Sequence, residues 1–241
     1  MKEMPLARVI FSDPPYNLGV QYKEDPTGDW LSDSTYISWT HRCLQELEPL
    51  MLPGGTFWWL VPERWADFVG PLLTNIIGPR LYRIIFEESF SQYQQTTLTD
   101  DYRVLFCHIK RPIAANVGER GKESLVFNPD AIREKSKRQE MNDARADPRG
   151  RVPGRVWTMR RLQGTSKDRV LWHPTQLCPE LLQRIVKGWS NPGELIIDAF
   201  AGSGNMALVC QKENRCHLGT DQSVHYVSKM EERLFMEKRL G

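Results

Sequence analysis

The sequence predicts an α/β fold: a mostly parallel sheet with helices on both faces, in one domain interrupted by a basic insertion. Three observations predict it. Short, nearly continuous apolar runs, as at residues 56–61 and 195–200, have the length and composition of strands buried on both sides. Stretches of helical spacing alternate with them. A glycine turn, Ala201-Gly202-Ser203-Gly204, joins one such run to a helix start and a further short strand. A length of 241 residues suits one such domain with an insertion.

The elements follow in order. Residues 8–12 read as a strand that ends at Asp13-Pro14-Pro15-Tyr16. Ser34 is positioned to cap a helix over 35–47, whose Tyr36, Trp39, Cys43, Leu44 and Leu47 keep helical spacing. Pro49 and Pro53-Gly54-Gly55 stop it, and 56–61 is a central strand. A helix over 63–75 follows, with a break expected at Gly70-Pro71. Residues 81–87 and 102–109 are strands, separated by a polar loop at 89–101 in which Phe90 and Tyr93 are interleaved. A turn is expected at 119–122 and a short helix from Asn128-Pro129-Asp130 through residue 135. Residues 145–154, rich in Arg, Pro and Gly, are expected to lack regular structure, and 156–159 to form a strand. A helix over 179–188 leads into the strand at 195–200; a helix begins at 205, and the strand at 216–220 ends at Asp221.

Two of these strand ends carry chemistry. An acid, two prolines and an aromatic make a rigid polar pocket that suits a planar ring bearing an exocyclic amine. Asp13 can accept one hydrogen bond from the amine, and the Pro14 carbonyl a second. Tyr16 can stack on the ring. The bland alternative is a strand-ending turn, since prolines stop ladders. At the other end of the chain the glycines allow close backbone approach to a ligand. Asp221 lies 19 positions after Gly202, near the offset of an acid that grips a ribose diol. That is a half-Rossmann unit for an adenosine-containing cofactor. Gly202-x-Gly204-x-x-Ala207 also fits the dinucleotide fingerprint, so NAD stays open.

Composition excludes other classes. No apolar run reaches the roughly 18 residues of a membrane span, and there is no leader pattern. Five scattered cysteines without a C-x-x-C pair argue against zinc or disulfide frameworks and for a reducing, cytoplasmic setting; no metal site is expected. A net charge of +2 hides an asymmetry. Residues 110–169 hold 16 Lys/Arg against 8 Asp/Glu, whereas residues 1–109 hold 8 against 14. A basic segment beside a base-sized pocket suggests phosphate contacts; the alternative is a solvated surface loop.

Together the two ends resemble a known family. Asp13-Pro14-Pro15-Tyr16-Asn17 resembles the catalytic motif of the DNA amino-methyltransferases that use S-adenosylmethionine (SAM), and Asp198-Ala199-Phe200-Ala201-Gly202-Ser203-Gly204 their cofactor loop. His173-Pro174-Thr175-Gln176 resembles a third family motif, and Gly219-Thr220-Asp221 with Tyr226 and Arg233-Leu234 the tail of the cofactor region. The match covers roughly 8–110 and 152–235, in the permuted order of the β subclass.

The resemblance implies a Rossmann-like methyltransferase fold with a catalytic half at 1–109, a target-recognition insertion at 110–169 and a SAM-binding half at 170–241. It implies Asp13, Pro14, Pro15 and Tyr16 as catalytic residues, and Asp198, Phe200, Gly202, Ser203, Gly204, Asp221, His173, Thr175 and Gln176 around SAM. Arg145, Arg149, Arg151, Arg155, Arg160 and Arg161 become candidates for DNA contact, reading guanine edges or phosphates. Trp30 and the 89–101 loop are candidates to meet the nucleic acid. The partner is duplex DNA with one base flipped out, and a homodimer is compatible with the family. An Asp-first motif favours adenine N6 there; cytosine N4 is the alternative, as is a DNA-binding subunit that needs a partner for activity. Ala199 and Asn205 stand where the family commonly has proline and threonine. Members usually carry a segment before the catalytic strand that helps wall the SAM adenine pocket; only 12 residues precede Asp13, so this wall is expected to be built differently, supplied by a partner, or missing through truncation.

Overall fold

The structure, a computed structural model, describes residues 5–22, 29–88, 96, 98–111, 125–162, 164, 166 and 168–240. The elements run β1 (Ala7–Ser12), α1 (Asp33–Leu47), β2 (Met51–Pro62), α2 (Glu63–Ile76), β3 (Arg80–Glu88) and β4 (Tyr102–Ile109), then α3 (Lys137–Glu140) and β5 (Val156–Met159). They close with α4 (Pro179–Trp189), β6 (Leu195–Asp198), α5 (Asn205–Lys212), β7 (Cys216–Gly219) and α6 (Val224–Leu240). The strands form one sheet in the order β5-β3-β4-β2-β1-β6-β7. Only β4 runs against its neighbours; every other pairing is parallel.

Alternation along the central strands builds two cores. Val9, Phe11, Trp58 and Leu60 face Leu181 and Ile185 of α4 and Met206 and Val209 of α5. Ile10, Phe57, Trp59 and Val61 face Leu44 of α1 and Trp65, Val69 and Leu73 of α2. The expectation of helices on both faces therefore holds. Met230 and Leu234 of α6 pack over Ala201 and Ala207 at the glycine turn.

Three local expectations need correction. Ser32, not Ser34, caps α1: its hydroxyl accepts the Thr35 N–H at 3.2 Å, and Asp33 sits in the first turn where the helix dipole favours an acid. Helix α2 runs unbroken through Gly70-Pro71. The proline removes one backbone bond, but the buried face of Trp65, Ala66, Val69 and Leu73 keeps the segment helical. Gly70 lies close to Phe106, whose Cζ would be 3.3 Å from an added Cβ. In the middle segment the expected helix shrinks to a 3-10 turn at Pro129–Ile132. Arg133 is extended, Glu134 bridges to Arg151, and helix α3 begins instead at a capping box of Ser136 and Gln139. Val156–Met159 forms the expected strand and joins the common sheet beside β3. The turn expected at 119–122 and most of the 89–101 loop lie outside the described residues.

Candidate active site

Strands β1 and β6 are parallel neighbours, with Phe11 opposite Asp198. After β1 the chain passes over one face through α1 to β2; after β6 it passes over the opposite face through α5 to β7. The connections diverge here and leave a crevice beyond the strands' carboxyl ends, the place where open α/β sheets bind ligands. A cleft of about 1880 Å³ opens there, lined by Asp13, Pro14, Tyr16, Asp198, Gly202 and Asp221 together with the His173–Gln176 segment. Two motifs almost 190 positions apart thus share one cavity.

The Asp13 wall is rigid. Tyr36 of α1 donates to the Pro15 carbonyl at 3.0 Å, and Trp65 of α2 to the Tyr16 carbonyl at 2.8 Å. No donor among the described residues takes the Pro14 carbonyl. Asn17 adopts a left-handed φ of 56°, and its side chain exchanges two hydrogen bonds with the Leu31 backbone. The buried Asp29 carboxylate accepts the N–H groups of Asn17 and Leu18 at 2.5 and 2.8 Å. Tyr16 donates its hydroxyl to Asp13 Oδ1. The guanidinium of Arg103, ion-paired with Glu88, lies 5.4 Å from the Tyr16 ring centre. Burial pushes the Asp13 carboxyl up to about 6, opposed by the Tyr16 hydrogen bond and the Arg103 charge.

The glycine wall is equally determined. Gly202 and Gly204 have φ of 46° and 75°, which glycine adopts without steric cost. A Cβ on Gly202 would fall 2.9 Å from His173 Nε2, and one on Gly204 2.5 Å from Met230 Cγ. Asp221 accepts the Gly202 N–H at 2.9 Å. Asp198 lies beside the turn, its carboxyl pushed up to about 7 by burial against the single Phe200 N–H bond, with the Asp13 and Asp221 charges adding to the rise. Phe200 packs edge-on against Trp59. His173 bonds the Thr175 carbonyl and packs edge-on against Tyr226 at 4.6 Å. Gln176 lines the cleft while its amide pins the loop: it joins the Asp168 carbonyl, the Val170 N–H and Asn205. Asn205 uses both ends of its own amide, donating to Leu177 and accepting from Gln176 and Arg233. A threonine hydroxyl lacks that reach.

The sequence profile described as DNA methylase matches residues 7–232. The chain belongs to the DNA methylase family. Methyl transfer from SAM to DNA is that family's chemistry, and it excludes the NAD reading. The type II methyltransferase M.HpaI of Haemophilus parainfluenzae is 28% identical over 233 residues, 95% of this chain and 68% of that protein. The DNA adenine methyltransferase YhdJ of Escherichia coli K12 is 26% identical over 237 residues, 94% of this chain and 76% of that protein. The M1.HpyAVI–SAM complex shares the fold at a TM-score of 0.64 and 18% identity, covering 95% of this chain and 89% of that one. The cytosine-N4-specific PvuII methyltransferase does so at 0.65 and 13% identity, covering 95% and 79%.

The cleft of this methylase fits a cationic cofactor. Asp198 interacts with both Asp13 and Asp221 inside it, and burial makes Asp13 and Asp198 costly to ionise. A sulfonium with an ammonium supplies the charge they lack. The candidate DNA arginines divide into groups. Arg145 and Arg149 are each clasped by the aspartate two residues before, Asp143 and Asp147, and Arg151 pairs with Glu134. Arg155 lies over the Tyr82 ring at 5.9 Å. Arg160 is exposed, and Arg161 lines the cleft. Trp30 is 71% exposed, its ring packed over Gly19. Sequence reasoning missed Asp29, Glu88 and Arg103. Each reaches the site through tertiary contact, and no local pattern marks it.

Proposed function

We propose that this methylase transfers a methyl group from SAM to N6 of an adenine flipped out of duplex DNA, with Asp13, Pro14 and Tyr16 as the amine-binding group. The observation that carries it is the shared cleft at the β1/β6 switch point, where the Asp13 wall faces the glycine turn. SAM supplies an electrophilic methyl on a good leaving group, so alignment and electrostatics dominate what the protein must add. Gly202, Ser203, Gly204, Phe200 and Asp221 would hold it. His173, Thr175 and Gln176 form the adjoining wall, with Gln176 also pinning the loop that carries it.

An aromatic amine is a poor nucleophile because its lone pair is delocalised into the ring. Asp13 accepts one amine hydrogen and the Pro14 carbonyl the other, which favours a more tetrahedral nitrogen with its lone pair exposed. With Asp13 near 6, the carboxylate is ionised at neutral pH and serves as acceptor. It is a weak base, so the amine proton leaves late, once the nitrogen carries positive charge. Stacking on Tyr16 offsets part of the few kcal/mol that flipping costs.

Adenine rather than cytosine is supported by the Asp-first motif and by the adenine-named relative. Tritiated-SAM labelling of DNA followed by nucleoside analysis tests it. N6-methyladenine is the expected product. N4-methylcytosine would overturn the base assignment, and DNA binding without label would favour a subunit that needs a partner.

A further inference from the structure

Burial and the Glu88 charge oppose the ionisation of Asp13, while the Tyr16 hydrogen bond and the Arg103 charge favour it. Among the described residues, those that interact with it electrostatically are Tyr16 in its own turn, Glu88 and Arg103 at the ends of β3 and β4, Asp198 of β6, Tyr36 of α1 and Tyr22 in the following loop. Arg103 is the one cation of that set. Strand β4 is antiparallel to the rest, so its N-terminal residues lie at the carboxyl edge beside the end of β3. That topology brings Arg103 and Glu88 together and sets both on the cleft. The side chains of both are mostly buried, 26% and 13% exposed, which strengthens their charges relative to a surface pair.

We propose that Arg103, locked by Glu88, is a positioning residue: it fixes the Tyr16 ring and holds the Asp13 carboxylate in its ionised form. This rests on Asp13 being the amine acceptor. The guanidinium lies over the Tyr16 ring, and a cation there is attracted to the ring face. Burial and the Asp13 charge raise the Tyr16 phenol well above its ordinary value, so it stays an O–H donor throughout the working range. Its hydroxyl occupies Oδ1 of Asp13 and leaves Oδ2 for the amine. Arg103 therefore acts through two neighbours.

The test uses the full chain. The carboxyl titration of Asp13 is followed by carbon NMR without cofactor or DNA, and kcat/KM is measured across pH. Replacing Arg103 by methionine (Arg103→Met) should raise the Asp13 midpoint by about one pH unit, the low end for loss of a nearby opposite charge. The acid limb of kcat/KM should move with it, a loss of about threefold at pH 6.5 that shrinks at pH 8.5. Arg103→Lys keeps the charge and should restore the limb. Glu88→Gln removes a negative charge and should move the Asp13 midpoint down. Shifts of opposite sign in the two variants mark electrostatic control; a purely structural pair would give none, or the same sign in both. Unmoved midpoints in Arg103→Met and Glu88→Gln overturn the proposal, as does a rise in both. Should Arg103→Met fail to fold, the downward shift in Glu88→Gln decides. Asp13→Asn separates the underlying reading: retained turnover there removes Asp13 from the chemistry, while the NMR midpoints still judge Arg103.

Discussion

As the proposed amine acceptor, Asp13 meets two demands that conflict. Burial excludes water from the amine, and charge is needed to accept from it. Burial raises its carboxyl from the ordinary aspartate range to about 6, so the acceptor form exists above that value and is lost below it. The expected outcome is a kcat/KM that falls about tenfold per pH unit below pH 6. Asp13→Ala should lower methyl transfer by about 10²–10⁴-fold while SAM affinity, measured by calorimetry, stays within about threefold. Asp198 shows the stability side of the same physics. Its folded value of about 7 lies above the unfolded value. The native state therefore binds that proton more tightly, and this contribution to stability, full below about pH 4, is lost as pH rises through 7. Asp198→Asn removes the charge. It should raise stability relative to the parent at pH 8 by an upper bound of about 4 kcal/mol, read as a higher Tm, with a smaller gain at pH 5.

At the scale of elements, the turn after β1 is the unit that matters. Prolines fix two of its dihedrals, but its shape comes from partners elsewhere: Tyr36 on α1, Trp65 on α2 and Asp29 in the next loop. Asp29→Ala would leave the Asn17 and Leu18 N–H groups without an acceptor. A cost of about 1–3 kcal/mol is expected for such unpaired buried donors, read by urea denaturation. A rise in KM for DNA with little change in SAM affinity should accompany it. The tetrapeptide was legible because its residue types cluster in sequence. Its supports were not, because Asp29 reads locally as one more polar loop residue. Likewise Gln176, legible as part of a family motif, also pins the 168–176 loop to Asn205, a role its motif does not reveal.

For the whole molecule, the division of charge meets a division of pairing. The middle segment carries a surplus of eight positive charges, yet Arg145 and Arg149 are already neutralised by Asp143 and Asp147. Arg160, exposed and without an ion pair among the described residues, is the better candidate for phosphate. Arg160→Ala should reduce the slope of log K against log salt for DNA binding by about one. Arg145→Ala should reduce it by less, since its carboxylate partner already offsets the charge. Equal slopes for the two variants would remove this distinction.

The sequence by itself determined the α/β class, nearly every strand, the two strand-end motifs and the family, because each rests on short-range patterns: alternation, helical spacing, and residue types set close together. Only the tertiary structure decided that β1 and β6 lie side by side with diverging connections, and that one antiparallel strand carries Arg103 to the cleft. Those facts depend on pairings between segments tens to hundreds of positions apart, and such pairings are chosen by the burial of two whole sheet faces rather than by any local run of residues.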